Sequence, residues 1–136
     1  MVDSGSFVHA INAEVELPNH QLIPPTEQDK QVVAETACGG KLTKQGSVQV
    51  QCETDGSKVA IEFDSMRVKT PILSVRKLVR DNNEVRFRRH GGFIQNLASG
   101  KRINFFEYQG VYFMKLKIQP PNDQKNSNQD FHRQGA

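Results

Sequence analysis

Two runs of alternating apolar and polar residues flank the pair Asp55-Gly56, and they constrain the fold more than any other feature of the chain. Residues 48–52 alternate apolar side chains with glutamines, and residues 59–63 repeat the period of two. Such alternation is typical of a strand with one buried face, and Asp-Gly between two such runs is a strong local signal for a hairpin. The sequence therefore predicts a β-hairpin that turns at Asp55 and Gly56.

The rest of the chain is also rich in short strand signals. Four more strands are predicted at residues 84–88, 92–95, 103–108 and 111–118, and glycine-containing turns separate them. One short helix is predicted over Val75–Arg80, because its apolar residues recur at spacings of three and four. The predicted fold class is therefore all-β with one short helix.

Length and composition predict a single small domain. The chain has 136 residues, of which 36% are hydrophobic, and this is enough for one modest core. We expect the domain to span residues 1–118 and a disordered polar tail to follow at 119–136. No apolar run approaches the roughly 20 residues of a membrane-spanning helix, and the first residues lack the pattern of a secretory signal. We therefore expect an intracellular, cytoplasmic protein with no membrane partner.

The two cysteines give little support for a metal site. Cys38 and Cys52 have neither C-x-x-C spacing nor clustered histidines beside them, so no metal is predicted. They lie symmetrically about Gln45, and a hairpin turning there would place them opposite each other. In a reducing compartment two free thiols are the favoured interpretation.

Positive charge is concentrated in one segment. Residues 67–102 carry ten basic and two acidic side chains, whereas residues 1–66 carry four basic and ten acidic ones. Such a block could contact the phosphates of a nucleic acid. Because few aromatic residues are interleaved with it, we favour a solvated surface paired with acidic residues of the first half, such as Glu14 or Glu16. The ten basic residues are Arg67, Lys69, Arg76, Lys77, Arg80, Arg86, Arg88, Arg89, Lys101 and Arg102.

A short run near the start of the chain combines the groups that an acid–base site needs. Asp3 supplies a carboxylate, Ser4 a hydroxyl that can brace the loop, Gly5 backbone freedom, and Ser6 a small side chain. A surface turn or a helix cap would explain the same residues without any chemistry. The run resembles the Asp-[Ser/Thr]-Gly-[Ala/Ser] active-site loop of aspartic proteases.

That resemblance implies a dimeric enzyme that uses no metal and no organic cofactor. In aspartic proteases two carboxylates share one proton, so that one activates a water molecule and the other protonates the peptide carbonyl oxygen. This chain offers one Asp-Ser-Gly run, so the second carboxylate would come from a second copy across a two-fold axis. Homodimerisation is therefore part of the expectation.

A second element in the expected order makes the resemblance more specific. Ile72 and Leu73, followed by Ser74 and the predicted helix, resemble the apolar strand that passes behind the active-site loop of retropepsins. Retroviral proteases have glycine at the position of Ser74, whereas Leu-Ser-Val before a helix is similar to copia-type retrotransposon proteases. His9 also lies where copia-type chains carry a histidine, and we expect it to have no catalytic duty. The likeness covers residues 2–118.

Between these two elements the resemblance implies a flap hairpin. Residues 32–53 contain three glycines that would permit a mobile hairpin, and we expect its tip at Lys44, Gln45 and Gly46. Such a flap would close over an extended peptide substrate and exclude water. Glycines are also common in hairpins that have no such role.

The position of Asp3 differs from that of the catalytic residue in retropepsins, which follows a hairpin. Only Met1 and Val2 precede Asp3 here, so we expect that N-terminal hairpin to be missing. Strands at residues 103–118 could take its place, since a fold tends to cover unpaired edge strands. Alternatively, the chain is a truncated or noncatalytic derivative.

The resemblance thus implies an aspartic endopeptidase that acts as a homodimer, with Asp3 of each chain in the dyad, and that processes a retroelement polyprotein. Two alternatives stay open. One is a noncatalytic dimerisation or peptide-binding module that takes up extended chains by strand addition, and its binding would survive substitution of Asp3. The other is a basic nucleic-acid-associated domain, whose affinity would fall steeply with salt.

Overall fold

The computed structural model describes residues 1–31, 33–35 and 41–121. Far more of these residues are in strands than in helices, so the all-β class is confirmed. Three short helices occur among them where one was predicted. None of the described helices is long and apolar enough to cross a membrane. The helices are α1 (Ala13–Glu16), α2 (Glu27–Gln31) and α3 (Val75–Arg80). The strands are β1 (Val2–Asp3), β2 (Ala10–Ile11), β3 (Val33–Glu35), β4 (Lys41–Thr43), β5 (Gly46–Thr54), β6 (Ser57–Ser65), β7 (Leu73–Ser74), β8 (Asn83–Arg88), β9 (Gly91–Asn96), β10 (Arg102–Tyr108), β11 (Val111–Phe113) and β12 (Lys117–Ile118).

Two four-stranded sheets form most of the fold. The first has the order β12-β5-β6-β2, and the second, which we call the C-terminal sheet, has the order β11-β10-β9-β8. Their neighbouring strands are antiparallel except for the parallel pair β2–β6. Two smaller sheets are the parallel pair β1–β7 and the antiparallel pair β3–β4. Because β12 returns the chain from the C-terminal sheet to the first sheet, the two are parts of one unit.

The hairpin predicted at Asp55 and Gly56 is confirmed as β5–β6. Thr54 pairs with Ser57, and the two residues between them have φ values of 49° and 72°. Positive φ at both central residues is what a type I′ turn requires. The inward-facing residues of β5 are almost completely buried, and they are Val48, Val50 and Cys52.

Two apolar clusters form the core. The first consists of Ile11, Ala13, Leu17, Val48, Val50, Cys52, Phe63 and Leu73. The second is smaller and consists of Val2, Ile94 and Phe105, with Tyr112 and Met114 among the partly buried residues around it. Since Val2 in β1 pairs with Leu73 in β7, the strand that carries Asp3 lies where the two clusters meet.

The predicted helix is confirmed, and the strands predicted at residues 84–88, 92–95 and 103–108 are confirmed within one residue at each end. The two strands of the predicted hairpin each extend two residues beyond the alternating runs at both ends. The strand expected at residues 111–118 is two separate strands. β11 pairs with β10 in the C-terminal sheet, whereas β12 pairs with β5 in the first sheet. The chain therefore changes sheets between them, and an alternation pattern cannot show such a change.

Two helices were missed because they are too short for a periodic pattern. At the start of α2, Thr26 and Asp29 each donate a backbone N–H to the other's side chain, at 3.0 Å in both directions. This reciprocal arrangement is a capping box. The spacing of Thr26 and Asp29 could therefore have indicated the helix.

The end of the described chain is attached to the first sheet. Gln119 donates its backbone N–H to the Gln51 carbonyl oxygen at 2.9 Å, one residue beyond the expected domain boundary. The polar tail was expected at residues 119–136, and its part from residue 122 onward lies outside the described residues.

Candidate active site

The run from Asp3 to Ser6 forms a tight turn whose polar groups bond to one another. The Gly5 N–H donates to Asp3 Oδ1 at 2.7 Å, and Ser6 Oγ donates to the Val8 carbonyl oxygen at 2.7 Å. A Cβ on Gly5 would lie 3.3 Å from that carboxylate oxygen, so a residue without a side chain suits this close approach. Asp3 is half-buried and Ser4 is exposed. The turn therefore presents its carboxylate at the surface.

The predicted rear strand lies directly behind this turn. β1 and β7 pair in parallel, so that Asp3 is opposite Ser74. On the other side Ile72 pairs with Ala10 through two backbone hydrogen bonds of 2.7 and 3.0 Å. Residues 72–74 thus pass between the start and the end of the loop that carries Asp3. The structure brings the three residues predicted for this strand, Ile72, Leu73 and Ser74, against the predicted catalytic residue.

Ser74 joins the turn, the rear strand and α3. It is completely buried, with 0% of its surface exposed. Its Oγ donates to the Ser6 carbonyl oxygen at 2.6 Å and accepts from the Lys77 N–H at 3.1 Å, and its own N–H donates to His9 Nδ1 at 2.9 Å. A glycine could make neither hydroxyl bond. The serine that departs from the retroviral pattern therefore has a structural use here, because it caps α3 and holds the turn.

His9 acts as a buried hydrogen-bond acceptor behind the turn. Because its Nδ1 accepts from Ser74, the neutral ring carries its proton on Nε2. Burial, together with the nearby Lys77 ammonium, lowers the pKa of His9 to about 4, although Asp81 acts in the opposite direction. Its ring packs 6.2 Å from that of Phe63. A histidine held neutral in this way is suited to support the loop.

No known family model, curated protein or solved structure matches this chain. The resemblance to retropepsins therefore depends on the motifs of this chain alone. Three of its expected parts are next to one another in space: the Asp3 turn, the strand behind it and the helix that Ser74 caps.

The expected flap tip at Lys44, Gln45 and Gly46 is wrong. β4 ends one residue before Lys44, and β5 begins at Gly46 in a different sheet. The antiparallel hairpin of this region is β3–β4, and the connection between its strands, residues 36–40, lies outside the described residues.

Close contacts explain why these three residues do not form a tip. Lys44 Nζ lies 3.4 Å from a carboxylate oxygen of Asp29 and 3.4 Å from one of Asp64. Partial burial lowers the pKa of Lys44, but the two carboxylates outweigh it and leave the pKa above its usual value. Gln45 donates its backbone N–H to β6 at 2.8 Å, and a Cβ on Gly46 would lie 2.6 Å from a backbone oxygen. The segment is therefore packed against α2, β6 and the backbone of Ile23.

The hairpin turning at Gln45 that would place the two cysteines opposite each other is not formed, since β4 and β5 are not partners. Cys38 lies outside the described residues. Cys52 is free, and burial raises the pKa of its thiol to about 11, which makes it unreactive. Within the described ranges no group of three or more His, Cys, Asp or Glu side chains could hold a metal ion.

The basic block does not pair with the acidic first half of the chain in the part that the structure describes. Of its ten residues only Arg86 forms an ion pair there, with Glu84 at 3.4 Å, and both side chains are exposed. Glu14 instead accepts from the Gln45 side chain at 3.2 Å. The interpretation of the block as an internal partner of the first half therefore finds no support among these residues.

Proposed function

We propose that this chain is an aspartic endopeptidase with the retropepsin-like fold, in which each of two copies supplies one Asp3. The observation that carries the proposal is the contact of the Asp3 turn with β7 and with the start of α3. A carboxylate at the surface end of a turn, held from behind by a buried strand, is well placed to meet its equivalent across a two-fold axis. The substrate class is an extended peptide, such as a segment of a retroelement polyprotein.

The proposed reaction needs the two Asp3 carboxylates and one water molecule. With one proton shared between the carboxylates, the ionised one takes a proton from the water as it attacks the peptide carbonyl carbon. The protonated one donates to the carbonyl oxygen. Collapse of the tetrahedral intermediate then breaks the C–N bond, and the nitrogen leaves with a proton from the dyad. The Gly5 N–H on Asp3 Oδ1 fixes the carboxylate for this exchange.

Packing of the C-terminal sheet supports the strand that carries Asp3. Val2 belongs to the same apolar cluster as Phe105, and Tyr112 packs against that cluster. The C-terminal sheet therefore helps to hold the proposed catalytic residue in position.

Asp3→Asn tests the proposal directly. The amide oxygen still accepts from the Gly5 N–H, so the fold is expected to stay intact while the acid–base group is lost. Cleavage of a library of extended peptides at mildly acidic pH, read by mass spectrometry, should fall by about 10³-fold or more. Asp55→Asn is the matched control, since it makes the same chemical change at the β5–β6 turn, where the amide oxygen can still accept from the Asn104 N–H, and it should cleave like the wild type. Equal cleavage by the wild type and Asp3→Asn would contradict the proposal.

Subunit mixing tests the requirement for two copies. If each active unit needs two Asp3 carboxylates, an equal amount of Asp3→Asn chain should capture wild-type chains in mixed dimers and lower their activity to roughly half. A monomeric enzyme would show no such loss. A wild type that binds peptides without cutting them, and keeps this binding after Asp3→Asn, would instead be a noncatalytic peptide-binding module.

A further inference from the structure

The C-terminal sheet has one face that does not contact either apolar cluster. Residues paired directly across antiparallel strands point to the same side of a sheet. The register pairs Arg86 with Phe93 and Phe93 with Asn104. It also pairs Phe106, two residues along β10 from Asn104, with Phe113, which places Arg86, Phe93, Phe106 and Phe113 on one side. The opposite side contributes Ile94 to the second cluster. We call the side with Arg86 and Phe93 the outer face.

Three arginines cover one aromatic ring on the outer face. The guanidinium carbons of Arg86, Arg88 and Arg102 lie 5.6, 5.3 and 3.8 Å from the centre of the Phe93 ring. Phe93 is only 3% exposed, yet it belongs to neither apolar cluster. It is buried by the arginines, which are themselves exposed. Arginine in this position keeps a planar, charged group available for phosphates and for stacking.

Exposed aromatic rings lie further along the same face as these arginines. Phe106 and Phe113 are 6.0 Å apart with an interplanar angle of 32°, and Lys115 Nζ lies 5.8 Å from the Phe106 ring. Phe106 is 39% exposed, and Tyr108, two residues further along β10 on the same side, is 60% exposed. With about 4.8 Å between neighbouring strands and about 3.4 Å per residue along a strand, Phe106 lies about 10 Å from Arg88 and about 14 Å from Arg102, and Tyr108 lies about 20 Å from Arg102.

The charge of the outer face favours an anionic partner. Arg86, Arg88, Arg102 and Lys115 are its cationic groups, and Glu84 is the carboxylate that the register places among them. The Asp55 carboxylate also reaches this sheet, where it accepts from the Asn104 N–H at 3.0 Å, so the cationic groups outnumber the carboxylates by four to two. Phosphates would neutralise the arginines, and the exposed aromatic rings on the same face offer surfaces on which unpaired bases stack. A duplex keeps its bases stacked inside, so it could use the charges but not the rings.

We propose that the outer face of the C-terminal sheet binds single-stranded nucleic acid, with Arg86, Arg88 and Arg102 on the phosphates and Phe106 and Tyr108 under the bases. Aromatic residues are scarce within the basic segment of the sequence, but pairing of β9 with β10 and of β10 with β11 brings them to it. Nothing in this surface involves Asp3, so the site is separate from the proposed active site.

The phosphate contacts are tested by fluorescence anisotropy of a labelled 20-nucleotide oligo(dT) or oligo(U) with the full-length chain. For the wild type, the logarithm of the association constant should fall with the logarithm of the salt concentration with a slope of about −2. Each of three phosphate contacts contributes about −0.7 to this slope. The combined variant Arg86→Gln, Arg88→Gln, Arg102→Gln should bind roughly tenfold more weakly and lose most of that slope. Arg67→Gln, Lys69→Gln, Arg80→Gln removes the same charge from exposed positions outside the face and should bind like the wild type.

The base contacts need a separate test, because any cationic patch retains polyanions. Tyr108→Ala should weaken oligonucleotide binding about fivefold without changing the salt slope, since a stacking ring carries no charge. Phe7→Ala removes another exposed ring, 64% exposed, and should leave binding unchanged. Heparin and poly-glutamate should bind more weakly than the oligonucleotide and should not respond to Tyr108→Ala.

Several results would overturn the proposal. Binding that is independent of salt would do so, as would equal losses in the two triple variants. Heparin or poly-glutamate bound as tightly as the oligonucleotide would show a general polyanion surface or an acidic-peptide site. Circular dichroism of each variant verifies its fold. If the glutamine variant unfolds, a variant with Arg86, Arg88 and Arg102 changed to lysine takes its place, because it keeps the positive charge. That lysine variant should keep the salt slope.

Discussion

The rear of the Asp3 turn and the outer face of the C-terminal sheet use polar groups in opposite ways. Behind the turn, Ser74 and His9 are buried, and each bonds to a neighbour within the chain. On the outer face Arg86 and Arg88 are exposed and cover a ring. A network satisfied internally fixes geometry, whereas charged groups left at the surface are available to a partner. Substitutions behind the turn should therefore change stability, and substitutions on the outer face should change binding.

Replacing Ser74 by alanine should give the largest loss of stability. The variant loses the cap of α3, worth about 1 kcal/mol, and leaves the partly buried Ser6 carbonyl without its donor, at a cost of about 1 to 2 kcal/mol. We expect the free energy of unfolding in urea to fall by about 2 to 3 kcal/mol. Ser99→Ala is the matched control, because Ser99 Oγ also accepts from a backbone N–H, that of Lys101, but at an exposed site. Equal costs at both serines would mean that the network does not hold the turn.

Acidification should weaken the fold through His9. Its pKa is about 4 in the folded chain and 6.5 in an ordinary environment, so between these values the unfolded chain binds a proton that the folded chain does not. Stability should therefore fall as the pH decreases from about 6.5 to about 4, by on the order of 2 kcal/mol, and should not fall further through this group below that range. Urea unfolding at several pH values measures the loss.

His9→Gln isolates this contribution from those of other titrating groups. The amide oxygen of glutamine can accept from the Ser74 N–H, but it does not titrate. The difference between wild-type and variant stability should therefore carry the pH dependence assigned to His9. A difference that is constant from pH 7 to pH 4 would show that the ring is not held neutral by its surroundings.

Local signals predicted much of the fold from the sequence. The alternation around Asp55-Gly56 and the apolar spacing in α3 depend on neighbours in the chain, so they could be identified without a structure. The flap tip was misplaced at Lys44 because glycines permit a turn without requiring one, whereas the ion pairs with Asp29 and Asp64 that fix this segment are made across the fold.

The site was predicted unevenly for the same reason. Asp3 and Ser74 were identified as a pair by their order in the chain, and the structure places them opposite each other. The outer face was missed because its rings come from strands that follow the basic segment. A two-residue turn between Arg88 and Gly91 fixes the register of β8 and β9. That register could have placed Arg86 opposite Phe93.

A smaller effect on stability is expected for Arg102→Gln on the outer face. Its guanidinium carbon is the closest of the three to the Phe93 ring, at 3.8 Å, and an exposed cation–π contact contributes about 0.5 to 1 kcal/mol. Arg80→Gln, at an exposed helix position, should change stability less. A loss as large as that of Ser74→Ala would show that Phe93 and its arginines form a core, and the contrast between the two regions would disappear.

The smallest effect is expected for Tyr108→Ala, and Tyr112 provides the contrast from the same hairpin. Tyr112 lies on the opposite side of the sheet, 4.9 Å from the Phe87 ring and 5.7 Å from the Phe105 ring, so its replacement by alanine should cost about 2 kcal/mol. Tyr108 is 60% exposed, and its replacement should change the free energy of unfolding by less than about 0.5 kcal/mol. If the two tyrosines cost the same in urea unfolding, Tyr108 is packed rather than available. The ring assigned to the bases would then have to be sought elsewhere on the sheet.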